Sequence, residues 1–179
     1  ELTQGLYSAN VLGELIDLGF AESRINPANV TTWQARAQSS ADLPDVEVDL
    51  EAKSVSVPIG VALDAGGIGK GLAADLMSNY VMQLGGMGVA VFAGGDVAVK
   101  GMAVDAVGWQ VNISDPHNVD SFIDSVLLSR GGLATSSPMG WKNASAHHII
   151  DPRSHKSSDS DVLQATVIAQ NAAQAETLA

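Results

Sequence analysis

The chain contains no cysteine. Disulfides, zinc–thiolate centres and cysteine nucleophiles are therefore excluded. Basic residues are scarce: 9 Lys and Arg face 20 Asp and Glu, for a formal net charge of −11. Nucleic acids and anionic membrane surfaces, which need clustered Lys and Arg, are poor partners for such a chain. A polyanionic ligand would also be repelled unless a metal ion or a local basic group neutralised it. No apolar run reaches the ~18 residues of a membrane span, so membrane association is expected only through an anchor outside this chain. No signal peptide and no internal repeat are visible. The one low-complexity stretch, Lys156-Ser-Ser-Asp-Ser-Asp161, reads as a solvated loop. The chain starts with Glu1 and stops inside a helical pattern, so a processed or truncated polypeptide is expected, and its ends do not report a compartment.

What is present suits one globular domain: 179 residues, 46% hydrophobic, with 18 glycines. The most informative stretch runs from Val61 to Asp75. Val61 to Leu63 reads as a strand end, closed by Asp64. Gly66, Gly67, Gly69 and Gly71 follow, with Lys70 among them. A helical pattern then begins, with Leu72, Leu76, Tyr80, Val81 and Leu84 expected on one apolar face. A helix N-terminus, a glycine-rich turn and a lysine together suit a phosphate. The plainer alternative is a tight connection whose glycines only supply positive φ. No Ser or Thr follows Lys70, so this is not a Walker A loop, and the glycine spacing is not that of a dinucleotide fingerprint.

In chain order, Tyr7 to Gly19 reads as a helix. Residues 21–44 read as loop, with a short helix expected at 31–37. Val46 to Leu50 and Ser54 to Pro58 alternate and read as a hairpin. After the central helix come strands at Met87–Ala93, Val97–Lys100, Trp109–Ile113, Ser125–Ser129, Gly132–Thr135, His147–Ile150 and Leu163–Ala169. A last helix covers 172–179. About eight strands in runs, with three or four helices, predict an α+β fold: a mostly antiparallel sheet with flanking helices.

Several polar groups fall at element ends. Gly95-Asp96 closes a strand, either as a hairpin bend or for close approach to a ligand. Ser136 follows a strand but lacks the G-x-S-x-G context of a nucleophile elbow. His147 and His148 would point to opposite faces of a strand, so at most one enters a given site. His148 and Asp151 together suggest one cleft edge. Glu176, on the last helix, reads by itself as a solvated charge. No H-E-x-x-H pattern is present, and His117 and His155 sit in loops.

Four segments, in this order, resemble the ApbE family of FAD:protein FMN transferases. They are Leu63-Asp-Ala-Gly-Gly-Ile-Gly-Lys-Gly-Leu-Ala-Ala-Asp75, Phe92-Ala-Gly-Gly-Asp-Val-Ala-Val-Lys-Gly101, Gly132-Leu-Ala-Thr-Ser-Ser137 and His148-Ile-Ile-Asp-Pro-Arg153. Ala175-Glu-Thr-Leu-Ala179 is similar to the family's final helix, and Leu2 to Phe20 to the region before its hairpin. The resemblance implies a single T-fold-related domain over residues 1–179, with the family's N-terminal part absent. It implies FAD as substrate, Mg²⁺ as cofactor, and transfer of FMN to a Thr or Ser hydroxyl of an acceptor flavoprotein with release of AMP. It also implies an extracytoplasmic, membrane-anchored setting.

By position, the resemblance assigns FAD contacts to Asp64, Lys70, Gly95, Asp96, Ser136, His148, Ile149 and Asp151. It assigns catalysis to His148 and Lys70, and metal ligation to the Gly67 carbonyl and Glu176. The sequence departs from the family at several points. Glu176 stands where many members have Asp, and the Thr ligand four residues later would fall at 180. Ser137 replaces a usual Gly, and Pro138 to Lys142 replace usual aromatic and basic residues. An alternative reading is a protein that binds FAD, or hydrolyses it slowly, without transfer to an acceptor. A non-enzymatic α+β domain is the third. Loss of Lys70 is expected to weaken FAD binding far more than stability.

Overall fold

The computed structural model describes residues 2–23, 26–31, 46–58, 61–105 and 107–179. In chain order its elements are α1 (Leu12–Asp17), β1 (Glu47–Asp49), β2 (Ser54–Ser56), α2 (Gly69–Gln83), β3 (Gly88–Ala93), β4 (Asp96–Gly101) and β5 (Trp109–Asp115). There follow β6 (Asn118–Leu128), β7 (Gly131–Ser136), β8 (Ile150–Asp151), β9 (Lys156–Ser157), β10 (Ala165–Ala169) and α3 (Ala172–Leu178). Every pairing among these strands is antiparallel, which is the α+β architecture expected from the sequence. The short helix expected at 31–37 lies, apart from Thr31, outside the described residues.

Two units divide the chain: Gly66–Gly140 with Ser160–Ala179, and Glu1–Ala65 with Trp141–Asp159. In the first, a four-stranded sheet runs β10-β7-β4-β3. Central β4 is buried on both faces, and its alternation separates two cores. Val97 and Val99 join Val111, Leu128 and Leu133 in a cluster that includes the β5–β6 hairpin. Ala98 points the other way and packs with Ala74 of α2 and Ala172 of α3. Asp96 is two residues before Ala98, so it shares the helix-side face. The β3–β4 connection is Gly94-Gly95, with φ +60° and +101°. Two left-handed residues in a row are what a tight two-residue hairpin of this type requires.

The expected apolar face of α2 is not the buried one. Leu72, Leu76, Tyr80 and Leu84 are 46–71% exposed, and of the expected set Val81 is half-buried. The packed face instead carries Gly71, Ala74, Asp75 and Ser78. The reason is close approach: a Cβ on Gly71 would lie 2.4 Å from the Ala172 carbonyl oxygen. Small residues select the face on which α2 meets α3 and the sheet, and large apolar ones are left outside.

In the second unit, α1 covers only Leu12–Asp17 of the helix expected over 7–19. The hairpin β1–β2 forms in the expected place, pairing Val48 with Val55, with all six residues exposed. Two expected strands do not form. Residues 61–63 are irregular, and of His147–Ile150 only Ile150 enters a strand, paired with Ser157. Around His147 the backbone makes only an isolated bridge to Lys142.

Candidate functional site

The first unit brings Lys70, Asp96 and Glu176 to one point. Lys70 is in the first turn of α2, Asp96 opens β4, and Glu176 lies on the buried side of α3. The Lys70 ammonium lies 2.7 Å from Oδ2 of Asp96 and contacts Oε1 of Glu176. The side chains of Asp96 and Glu176 are 2% and 3% exposed, whereas Lys70 keeps 44% of its surface in solvent. The glycine turn makes room for the lysine stem, because a Cβ on Gly94 would stand 2.9 Å from Lys70 Cδ.

Glu176 also serves the helix start. Its Oε2 accepts the N–H of Gly71 at 2.8 Å. So the anion at this helix N-terminus is a carboxylate of the chain itself, placed where the sequence suggested a phosphate. Gly71 does not use a left-handed φ; its lack of a side chain is needed for helix packing. The plainer explanation, in which the glycines only supply positive φ, therefore does not account for Gly71.

Two buried acids share one ammonium, and this shapes the protonation of Lys70 and Glu176. For Lys70, partial burial works against the charge, but the hydrogen bonds and charges of Asp96 and Glu176 outweigh it and raise its pKa. For Glu176, burial is the dominant influence and raises its pKa despite Lys70 and the Gly71 amide. The Asp96 charge adds to that rise. Oδ2 of Asp96 is buried, and its partner among the described residues is the Lys70 ammonium.

Sequence reasoning missed Asp75. This buried acid of α2 accepts the N–H groups of Ala172 and Ala173 at 3.0 and 2.9 Å. Asp75 thus caps α3 while Glu176 caps α2, each helix supplying the anion for the other's N-terminus. The signal was an acid on the small-residue face of α2, where a solvated charge has no place. Asn171 completes the α3 cap through its side chain, which accepts the N–H of Gln174.

Gly95 lies exposed in the β3–β4 turn, and Gly67 in the turn two residues before α2. Ser136 ends β7 opposite Ala165. Its neighbours' hydroxyls serve local structure: Thr135 bonds Thr166 at 3.0 Å, and Ser137 donates to the Leu163 carbonyl at 2.7 Å.

The second unit carries Asp64, His148, Ile149 and Asp151. Asp64 follows irregular chain and donates its N–H to the Ala9 carbonyl at 2.7 Å. With Leu12, Phe20 and Trp141 it lines a cavity of about 250 Å³. Phe20 meets Trp141 edge-on, with centroids 5.0 Å apart, and the His148 ring lies 5.8 Å beyond Trp141. Nδ1 of His148 is 3.0 Å from the Trp141 carbonyl oxygen. A carbonyl only accepts, so in the neutral ring the proton is assigned to Nδ1 and the lone pair to Nε2. Neither histidine takes strand geometry: His147 reaches the Ser158 carbonyl through Nε2 at 3.1 Å. Ile149 accepts the Ser158 N–H through its carbonyl.

Asp151 is bound by Arg153 on both oxygens, at 2.9 and 2.7 Å. That fork, helped by the Arg153 backbone N–H, lowers the Asp151 pKa to about 2. Its backbone carbonyl also accepts N–H groups from Ser154 and His155, so Asp151 organises the β8–β9 turn.

Known proteins resemble this chain in sequence and in fold. The chain is 26% identical over 170 residues to the FAD:protein FMN transferase of Escherichia coli K12, covering 91% of this chain and 44% of that protein. It is 28% identical over 168 residues to the enzyme of the same name from Salmonella typhimurium, covering 90% and 43%. The chain thus spans less than half the length of these curated relatives. The ApbE protein of Thermotoga maritima superposes with a TM-score of 0.80 at 29% identity, covering 99% of this chain and 59% of that one. The flavin transferase ApbE of Vibrio cholerae shares the fold with a TM-score of 0.71 at 22% identity, covering 98% and 57%. A family model for ApbE matches residues 1–179. The chain belongs to the ApbE family.

Proposed function

We propose that the protein is a Mg²⁺-dependent flavin transferase that moves FMN from FAD to a Thr or Ser hydroxyl of an acceptor flavoprotein. The observation that carries this reading is Lys70, held at the start of α2 between two buried acids by a glycine turn, in a chain whose curated relatives are FAD:protein FMN transferases. In the reaction the acceptor oxygen forms a bond to the FMN phosphorus, the pyrophosphate P–O bond breaks, and AMP leaves with that oxygen. The hydroxyl proton passes to a base.

The residues fit a divalent cation. Two buried carboxylates share a single ammonium, so hard carboxylate oxygen exceeds the positive charge beside it. Glu176 and the Gly67 carbonyl would hold Mg²⁺, which supplies neutralising charge to the pyrophosphate. Lys70 supplies a further positive charge for phosphate oxygens. His148, whose Nδ1 faces the Trp141 carbonyl, is the candidate base for the hydroxyl proton.

The test uses the intact protein with FAD, Mg²⁺ and an acceptor presenting a Thr. Covalent flavin fluorescence on the acceptor with equimolar AMP is expected, and loss of both when the acceptor Thr is replaced by Ala. Release of FMN and AMP without labelling would establish the hydrolytic alternative. FAD binding with no cleavage at all would sink the enzymatic reading.

A further inference from the structure

We propose that Asp96 and Glu176 form one cation slot, occupied in turn by the Lys70 ammonium and a divalent cation, so that metal binding releases Lys70 toward the flavin pyrophosphate. This rests on the metal-dependent reading above and adds an order of events to it.

Three observations carry the inference. One nitrogen atom touches an oxygen from each acid, so the two carboxylates define a single position for positive charge. The buried Asp96 Oδ2 faces the Lys70 ammonium at 2.7 Å and depends on that charge. Glu176 keeps its other oxygen on the Gly71 amide, so it is held in place while Oε1 changes partners. The lysine is also the member of the cluster that can leave. Its side chain is 44% exposed against 2–3% for the acids. Its stem crosses Gly94, where no Cβ blocks it. An ammonium and a divalent ion in the same slot repel each other strongly at so short a distance. Two ionised acids carry two negative charges, of which the ammonium balances one and a divalent ion in its place balances both.

The experiment titrates Mn²⁺ by calorimetry into the intact protein without flavin. Lys70→Met is expected to bind Mn²⁺ at least tenfold more tightly than wild type, Lys70→Arg no more tightly, and Glu176→Gln hardly at all. Equal affinity in wild type and Lys70→Met overturns the exchange and leaves the metal reading standing. Absence of binding in both overturns the two together. A second measurement needs no variant: acetylation of Lys70 by acetic anhydride, read by mass spectrometry. Saturating Mg²⁺ is expected to raise the Lys70 rate several-fold, and added FAD to lower it again. A rate unchanged by saturating Mg²⁺ overturns the proposal even if Lys70→Met fails to fold.

Discussion

Lys70 has two duties, and its replacement separates them. The sequence suggested a residue for FAD binding and catalysis. The structure adds that Lys70 is the counter-ion of two acids that are almost completely buried. Lys70→Ala leaves both unneutralised, a fault that costs about 3–5 kcal/mol in a fully buried pair. Water reaches the half-exposed ammonium, so about 1–3 kcal/mol is the expected loss here, measured by denaturant titration. FAD affinity is expected to fall roughly 10- to 100-fold, the loss of one charge-assisted contact. Unchanged FAD affinity with lowered stability would make Lys70 purely structural. Asp151 gives a second test at this scale. Its carboxyl, held low chiefly by the Arg153 side chain, should titrate near pH 2 by carbon NMR. A folded pKa below the unfolded 3.8 means that the stabilisation is present above pH 3.8 and is lost as pH falls through about 2. Arg153→Gln should move the midpoint back toward 3.8. An unmoved midpoint would show that the fork is not the cause.

At the scale of elements, α2 shows what a sequence pattern carries and what it omits. The helix itself was legible, because Leu72, Leu76 and Tyr80 recur with helical spacing. Its buried face was not, because hydrophobic periodicity weights large side chains, and this helix packs through Gly71, Ala74 and Ser78. Close packing of helix against helix and sheet rewards the absence of atoms, which such a pattern does not score. Gly71→Ala tests this. Alanine is the better helix former by about 1 kcal/mol, so an unconstrained site would be stabilised. Here the new Cβ would meet the Ala172 carbonyl at 2.4 Å, and backbone cannot turn aside as a side chain does. A net loss of about 1–3 kcal/mol is expected from overpacking, together with weakening of the Glu176 contact to the Gly71 amide. A stabilised Gly71→Ala variant would refute the close approach of α2 and α3. The same limit explains Asp75 and Glu176. Glu176 looks solvated in sequence, and only the fold gives it Lys70 and the Gly71 amide and gives Asp75 the amides of α3.

Across the whole molecule, the antiparallel α+β class was legible because strand patterns come in runs with short connections. The strands expected at 61–63 and 147–149 failed for a different reason. Both stretches run as irregular chain, and local sequence character alone does not supply a neighbouring strand to pair with. Candidate residues were legible where a motif marks a turn or helix start, as for Lys70 and Asp96, and their electrostatic sharing was not. The distribution of burial has a consequence for stability. In the first unit, β4 lies between β3 and β7, with apolar clusters on both faces. In the second, among the described residues, β1 and β2 pair only with each other and are exposed at all six positions. A lone two-stranded ribbon with no buried face gains little from pairing. Local opening follows burial and backbone pairing, so amide protection should differ widely between these strands. Hydrogen exchange by NMR or mass spectrometry is expected to show Val97, Ala98 and Val99 among the slowest amides, opening only near global unfolding. The β1–β2 amides should exchange at least 100-fold faster. Comparable protection in the two places would mean that β1–β2 is covered in the intact protein by something outside the described residues.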